Sequence, residues 1–313
     1  MRRITCGTPI LEGTTVVTSP PKDNRTNVAG RIRDELLTIG IPPRPAVLES
    51  IELEMGRAAP NYASLEKIIS HDVGVSASLL KIANSAFFGF SGKISTVQDA
   101  LQVLGLNTVA SAIAAFSLRQ AFAHVPNMER FWDASARTAQ ISGWLASHVA
   151  VTKGKIRPDV AYTFGLFRDC GIPILRANFL DYLDILRVAN KEADVSFTAI
   201  EEEELGVNHA QIGAKLAKEW RLPIEFHSAI EAHHNVSAIS GITAVPLSPH
   251  AQYFIALAQL SELMLQRLTG LNMTKEWGKL GEACMEVLQL TEVDIEQLQQ
   301  EIHASGVHAE AIG

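Results

Sequence analysis

The chain has 313 residues, of which 47% are hydrophobic, 6% aromatic and 19% charged, and its formal net charge at pH 7 is −7. This apolar content is ample for the core of one large domain or of two modest ones. The acidic balance argues against a general nucleic-acid binder, which needs a basic face. Ala and Leu dominate the apolar residues, which favours close-packed helices over a β-sandwich.

The sequence contains few signals for a cellular compartment. The cysteines Cys6, Cys170 and Cys284 are odd in number and scattered, and they form no CxxC pair. Arg2 and Arg3 are followed by no apolar segment, so no signal peptide is expected. Reduced thiols in a cytoplasmic protein are therefore expected.

The N-terminal residues, 1–26, contain Thr, Pro and Gly without a helical period, which predicts a flexible arm. From residue 27 onward, apolar residues recur at helical spacing. The stretch 41–45, IPPRP, then predicts a rigid connector, because each Pro fixes φ and removes an N–H donor.

The uncharged run from Ala100 to Leu118 is nearly long enough to span a membrane. Polar residues interrupt this run, and Gly105 breaks it. Because polar groups are costly in lipid, we predict two buried helices that meet at residues 105–107, and no membrane segment.

Helix-start signals recur along the chain, and no strand signal is longer than a few residues. Capping side chains accept hydrogen bonds from the first free N–H groups of a helix, and Pro is favoured in its first turn. The predicted starts are Asp72, Ser95 with Gln98, Pro158, Asn208 with Gln211, Ser248 with Pro249, and Thr291 with Asp294. The acidic run 201–204 is interpreted as a solvated helix face. These patterns predict an all-α fold.

Residues 165–171, GLFRDCG, are apolar, then charged, and then end in Gly. This is typical of a helix end that places two polar side chains in an apolar centre. The stretch resembles the core motif of the HD superfamily, in which adjacent His and Asp bind a metal. The His position here is Arg168, and a guanidinium has no lone pair for a metal. Asp169 is expected to be a buried carboxylate satisfied by Arg168 or by another cation.

Four separated segments, in order, resemble the HDOD domains, which are HD-related output domains of bacteria. They are 41–48 (IPPRPAVL), 82–88 (IANSAFF), 206–213 (GVNHAQIG) and 230–234 (IEAHH). The resemblance implies a bundle of short N-terminal helices packed on an HD-like helical half. It also implies a division into the arm at 1–26, an HDOD domain at 27–236 and a helical extension at 237–313.

A working HD phosphohydrolase holds a divalent ion with imidazoles and carboxylates, and the ion activates a water for attack on phosphate. Carried over position by position, the resemblance places the vestigial site at Ala134, Arg168, Asp169, His209, His233, His234 and Gln259. The ligands at Ala134, Arg168 and Gln259 are lost, and Arg168 brings a positive charge to the ion's place. No catalytic residue, metal or cofactor is therefore predicted.

Plainer interpretations of the same residues stay open. His209 in the first turn of a helix is also typical of a core or capping histidine. His233 and His234 at a helix C-terminus complement the helix dipole when protonated. Cys170, flanked by apolar residues and Gly, is typical of a small buried hydrophobe.

The leading functional hypothesis is a non-catalytic, cytoplasmic module of bacterial signal transduction that acts through contact with a partner protein. Two alternatives stay open: a sensor that binds a nucleotide in the vestigial pocket, and a residual metal-dependent phosphohydrolase. Nucleic-acid binding through the basic N-terminal arm is the least favoured. The sequence does not identify the partner. It also leaves open whether the protein forms a homodimer and what the C-terminal helices do.

Overall fold

The structure, a computed structural model, describes residues 40–85 and 93–309. Within these ranges it contains fifteen α-helices and no strand, so the all-α prediction is confirmed. The helices are α1 Ala46–Met55, α2 Tyr62–Ser70, α3 Val73–Ala83, α4 Val97–Ala121, α5 Glu129–His148, α6 Pro158–Phe167, α7 Gly171–Asn178, α8 Tyr182–Lys191, α9 Phe197–Leu205, α10 His209–Glu219, α11 Ile224–Ala232, α12 Val236–Ile239, α13 Pro249–Thr269, α14 Glu276–Leu288 and α15 Glu292–Ser305. The predicted arm at 1–26 lies outside the described residues.

Helices α1 to α3 pack against α4, the longest of the described helices. Asp72 caps α3 as predicted, since its carboxylate accepts from the N–H groups of Gly74 and Val75 at 2.8 and 3.0 Å. Gly105 interrupts α4 with φ 73° and ψ 161°, which confirms the predicted break. Glycine reaches this conformation readily because it has no Cβ.

Helix α4 alone among the described helices is long and apolar enough to pass a length-and-composition test for a membrane span. It contacts α1, α2 and α3 on one side and α6 on another. Core helices of soluble proteins pass the same test, and these contacts place α4 between the two halves of the molecule.

The second half is built on α5 and α6, which pack along each other and are covered by α13. The approach is close at Gly165, where an added Cβ would lie 2.7 Å from the Cα of Ala139. Phe164, Phe226 and Phe254 meet with ring centroids 5.3 to 5.5 Å apart, which joins α6, α11 and α13. The buried aromatic rings thus lie where these three helices cross.

The Pro-rich connector at 41–45 lies against the C-terminal end of α10. Arg44 Nε donates to the carbonyl oxygen of Trp220 at 3.0 Å, and Trp220 Nε1 donates to that of Pro42 at 3.0 Å. Two hydrogen bonds between residues almost 180 positions apart therefore fasten the first half to the second.

The helices after residue 236 contribute to the same hydrophobic core. Helix α13 begins at Pro249 and ends at Thr269, as predicted, and contacts α5, α6 and α11. The predicted capping box of Thr291 and Asp294 opens α15. The division at residue 236 stays a prediction.

Two local predictions are wrong. The predicted capping box of Ser95 and Gln98 does not open α4. The cap is Thr96, one residue later, whose hydroxyl accepts from the N–H of Asp99 at 3.0 Å and donates to the Asp99 carboxylate at 2.6 Å. The stretch 237–249 is rich in Ser, Gly and Pro, which predicts a loop, but it overlaps a short helix, α12, which Asn235 caps.

Candidate functional site

The junction of α6 and α7 brings the predicted site residues together. Arg168 and Asp169 follow α6, and α7 begins at Gly171, directly against α10. A Cβ on Gly171 would lie only 2.0 Å from the carbonyl oxygen of His209, so this contact requires glycine. Asn208 caps α10 as predicted and accepts from the N–H of Gln211 at 2.8 Å.

Asp169 and three buried histidines form a cluster where α6, α10 and α11 meet. One atom from each of Asp169, His209, His233 and His234 lies within 4.8 Å of the others. Asp169 Oδ1 is 3.1 Å from His233 Nε2 and 3.6 Å from His209 Nε2. The two Nε2 atoms are 3.2 Å apart. Three potential ligand atoms therefore converge on one point.

The partners of the other ring nitrogens determine the tautomers. His209 Nδ1 lies 2.7 Å from a carboxylate oxygen of Glu201, and His233 Nδ1 lies 2.6 Å from the carbonyl oxygen of Ile230. Both oxygens only accept, so both imidazoles donate from Nδ1. In a neutral imidazole with its hydrogen on Nδ1, the Nε2 atom carries a lone pair and can only accept. Because two such lone pairs and the Asp169 carboxylate would repel, the cluster needs one positive charge, either a proton or a metal ion.

The surroundings of the cluster shift the pKa values of its members in different directions. Burial lowers the pKa of His209, but the charge and hydrogen bond of Glu201 outweigh burial and raise the pKa above 6.5. Burial lowers the pKa of His233, and Asp169 offsets this only in part. Burial would raise the pKa of Asp169, but Arg168 and His233 hold it well below its ordinary value. These directions favour the protonated form of His209, the neutral form of His233 and the ionised form of Asp169.

Arg168 is 6% exposed, and all three of its guanidinium nitrogens donate hydrogen bonds. Its Nε and Nη2 donate to Asp169 Oδ2 at 3.0 and 2.7 Å, and Nη2 also donates to Glu262 at 3.1 Å. Nη1 donates to the carbonyl oxygen of Ala258 at 3.3 Å. The expected pairing of Asp169 with Arg168 is confirmed. The guanidinium takes the Oδ2 side while Oδ1 faces the imidazoles, so its charge lies beside the ligand atoms rather than between them.

The converging atoms are of the types that bind divalent metal ions. Imidazole nitrogens and carboxylate oxygens bind Zn²⁺, Mn²⁺ and Fe²⁺. Separations of 3.1 to 3.6 Å are close to the ligand–ligand distances around such an ion. Asp169, His209 and His233 would hold it, and an ion there would supply Lewis acidity. His234 uses Nδ1 to donate to Glu276 and keeps Nε2 free for the site.

The remaining predicted positions surround the cluster. Ala134 lines the cavity above it, together with Arg168 and Asp169. Gln259 is buried, and its amide donates to the carbonyl oxygen of His233 at 3.4 Å. All seven predicted positions therefore lie in one region, although Ala134 and Gln259 offer no ligand atom to the cluster.

The interpretation of residues 201–204 as a solvated face is wrong for Glu201, which is 0% exposed. Glu201 accepts from the Tyr182 hydroxyl and from both the backbone N–H and Nδ1 of His209. The reason is helical spacing, since the buried Phe197 and Leu205 lie four residues to either side of Glu201. This apolar pair was the available signal.

Sequence reasoning also missed acidic residues on α13 and α14. Glu262 bonds Arg168, and Glu276 accepts from His234 and from Lys279. Burial, and then the charge of His233, lowers the pKa of His234 to about 3. Burial would raise the pKa of Glu276, but its hydrogen bonds to His234 and Lys279 lower it to about 2. No motif marks these residues, because they lie beyond the segments that carry the resemblance.

Residues 41–236 match the family model of the HDOD domain. The chain belongs to the HDOD domain family. A Treponema pallidum (strain Nichols) protein described as uncharacterized is 25% identical over 211 residues, which cover 67% of this chain. That relative is longer, since the match covers 39% of its length.

Solved structures similar to this HDOD protein share its fold at low identity. An HDOD domain protein of unknown function from Geobacter sulfurreducens has a TM-score of 0.63 at 21% identity, covering 92% of this chain and 97% of its own. A protein from Marinobacter aquaeolei VT8, described as a signal transduction protein, has a TM-score of 0.59 at 20% identity, covering 92% and 67%. One from Shewanella amazonensis SB2B, described as a phosphohydrolase, has a TM-score of 0.63 at 18% identity, covering 90% and 96%.

Proposed function

We propose that this HDOD protein is a non-catalytic, cytoplasmic module of bacterial signal transduction that acts through contact with a partner protein. The observation that carries the proposal is the buried guanidinium of Arg168, which is bonded to both Asp169 and Glu262. This cross-link joins the end of α6 to α13 with a permanent cation. The solved Marinobacter relative, described as a signal transduction protein, is in keeping with the proposal.

The ligand set supports the same proposal. A hydrolytic metal site needs several fixed ligands and an open position for an activated water. The Arg168 guanidinium donates to Asp169 Oδ2 and to Glu262 Oε2, so these two carboxylate oxygens are already engaged. Among the described residues, the cluster is thus left with one carboxylate oxygen and the imidazoles. We expect a proton to satisfy this reduced set.

The first test measures the metal content of the protein purified without added metal. We expect less than about 0.1 equivalent of zinc, iron and manganese together per chain, since an incomplete ligand set binds metal weakly. The variant Arg168→His restores an imidazole at the family's position. A clear gain of metal in this variant would support the proposal, and stoichiometric metal in the unaltered protein would contradict it.

The second test separates contact from catalysis in the host. A strain that lacks the gene is complemented with the double variant His209→Gln/His233→Gln, which removes two ligand atoms and leaves the surface unchanged. Because contact needs no ligand, we expect the variant to restore the wild-type phenotype when its soluble level matches. Loss of complementation, with the variant and the wild-type protein at equal soluble levels, would contradict the proposal.

One observation favours a second function, a metal-dependent phosphohydrolase. The convergence of Asp169 Oδ1 with two imidazole Nε2 atoms is suitable for a divalent ion. This alternative predicts stoichiometric metal, and hydrolysis of a nucleotide phosphate that is lost in His233→Gln.

A further inference from the structure

A cavity of about 440 Å³ lies above the Asp169–histidine cluster, and its rim and floor differ in chemistry. The buried floor includes Arg168, His209 and Glu276. Exposed or half-buried polar residues form the rim: Asn127, Arg130, Arg187, Asn190, Lys191 and Asn272. The volume falls within the range of about 300–1,000 Å³ that is typical of small-molecule sites.

The charges on the rim are all positive. Arg187 pairs with Asp184 on its own helix, whereas Arg130 and Lys191 make no ion pair with any residue that the structure describes. The acidic residues that line the cavity lie below the rim. Each of them already accepts hydrogen bonds: Asp169 and Glu262 from Arg168, and Glu276 from His234 and Lys279. An anion that enters the cavity therefore contacts the cations of the rim first. The carboxylates below already accept hydrogen bonds from neighbouring donors.

The cations on α8 lie on the face that lines the cavity. Leu183, Leu186, Arg187, Asn190 and Lys191 all line it, at the i, i+3, i+4, i+7 and i+8 positions of one helix face. Arg187 and Lys191 are like charges four residues apart, an arrangement that destabilises a helix unless an anion lies between them. Arg130 enters the same rim from α5, so two helices supply the positive charges.

The walls of the cavity are apolar and partly aromatic. Phe131 and Leu265 line it above the floor, and the buried Phe197 lies stacked on His234 with ring centroids 5.0 Å apart. Apolar and aromatic walls with a few polar groups are typical of small-molecule sites, and an aromatic side chain in the wall can stack on a flat organic ring. The amides of Asn127 and Asn190 on the rim carry both donors and acceptors for the edge of such a ring.

We propose that this cavity binds a phosphorylated small molecule with a flat ring, of nucleoside monophosphate size. The ring lies against the Phe131 and Leu265 wall. The phosphate is held at the mouth by Arg130, Arg187 and Lys191, since guanidinium and ammonium groups are strong phosphate donors. The proposal goes beyond partner contact and requires no metal on the floor.

The test titrates AMP and GMP into the full chain in EDTA and follows both the melting temperature and the heat of binding. Adenosine, guanosine and inorganic phosphate are the matched probes that lack either the phosphate or the ring. A ligand that binds only the folded state raises the melting temperature. We expect a rise with at least one nucleotide at millimolar concentration, and a rise at least several-fold smaller with the matched probes.

The double variant Arg130→Glu/Lys191→Glu reverses two rim charges on exposed side chains, so it is expected to fold. Its nucleotide affinity is expected to fall at least tenfold, while the control Lys153→Glu/Lys218→Glu, exposed and outside the cavity, stays within about twofold, since distant surface charges are screened. No binding of either nucleotide, binding that survives the rim reversal, or binding that appears only when metal replaces EDTA would each overturn the proposal.

Discussion

The buried Arg168 compensates two partly buried carboxylates, those of Asp169 and Glu262. Burial lowers the pKa of Arg168, but the charges of both acids outweigh burial and raise it. Arg168→Met keeps much of the side-chain volume and removes the charge. Leaving buried charges unpaired costs about 3–5 kcal/mol. We therefore expect the free energy of unfolding at pH 7, measured by urea denaturation, to fall by about this amount.

The matched control is Arg187→Met, whose ion pair with Asp184 is exposed on both sides. Exposed pairs contribute about 0–1 kcal/mol, so this variant is expected to stay close to the wild type. Equal effects of the two substitutions would mean that Arg168 is not a buried cross-link.

His234 makes the stability depend on pH. The folded chain keeps His234 neutral down to a pKa of about 3, whereas in the unfolded chain it takes up a proton below about 6.5. Glu276 acts in the same direction, because its folded pKa of about 2 lies below the ordinary value of 4.5. Protons therefore favour the unfolded state, and the free energy of unfolding is expected to decrease as the pH falls from 6.5 toward 3.

The variant His234→Asn retains a donor for Glu276 and removes the titrating ring. Its free energy of unfolding, measured by urea denaturation at several pH values, is expected to decrease less steeply between pH 6.5 and 4.5 than that of the wild type. Parallel profiles for the two proteins would show that His234 does not carry this dependence.

Among the elements, the contact between α7 and α10 is the most demanding on side-chain size. A methyl group at Gly171 would overlap the His209 carbonyl oxygen at 2.0 Å, and backbone atoms there have no room to yield. Overpacking typically costs about 1–3 kcal/mol, and we expect Gly171→Ala to lie at or above the upper end. Thermal unfolding would measure this loss of stability, and an intact circular dichroism spectrum at about 20 °C would show that the variant folds.

Gly278 supplies the control for Gly171. It lies in α14, is exposed, and an added Cβ there would meet nothing within 4 Å. Alanine is favoured over glycine in a helix by about 0.5–1 kcal/mol, so Gly278→Ala is expected to stabilise the protein slightly. If both substitutions stabilised it, the close approach of α7 to α10 would be wrong.

The elements were predictable where local chemistry determines them. Asp72, Asn208 and the Thr291–Asp294 box mark helix starts because a cap satisfies backbone donors only a few residues away. Thr96 and not Ser95 is the cap of α4, since two adjacent hydroxyl residues offer the same cap and the sequence pattern does not distinguish them. Local patterns thus locate a helix start to within about a residue or two.

At the scale of the whole molecule, the C-terminal helices complete the centre. Glu262 bonds Arg168 from α13, and α13 buries apolar side chains against α5 and α6. A chain that ends at residue 236 would expose those surfaces and leave Arg168 with one acid fewer. We expect this truncated chain to bind a hydrophobic dye and to lose cooperative thermal unfolding.

The control for the truncation is a chain that lacks only residues 310–313. It is expected to unfold as cooperatively as the full chain, because α13 and α14 remain. Cooperative unfolding of the chain ending at residue 236, without dye binding, would show that the family segment folds alone.

The residues of the site were predictable from the sequence, whereas their hydrogen-bond partners were not. Asp169, His209, His233 and His234 were identified by motif, and the structure brings them together. Their partners Glu201, Glu262 and Glu276 were not, since a carboxylate is selected by what surrounds it in space. Of the three, only Glu201 had a signal in the sequence, the helical spacing of the apolar Phe197 and Leu205, and that signal was not used.

The fastening of the Pro-rich connector to Trp220 has a consequence for biosynthesis. Arg44 leaves the ribosome 176 residues before its acceptor. At a translation rate of about 5–20 residues per second, the nascent connector waits roughly 10 to 35 s for that carbonyl group to exist. During this interval helices α1 to α3 emerge without the C-terminal end of α10, so the connector can be fastened only after Trp220 has been made, and until then the first half is open to chaperones.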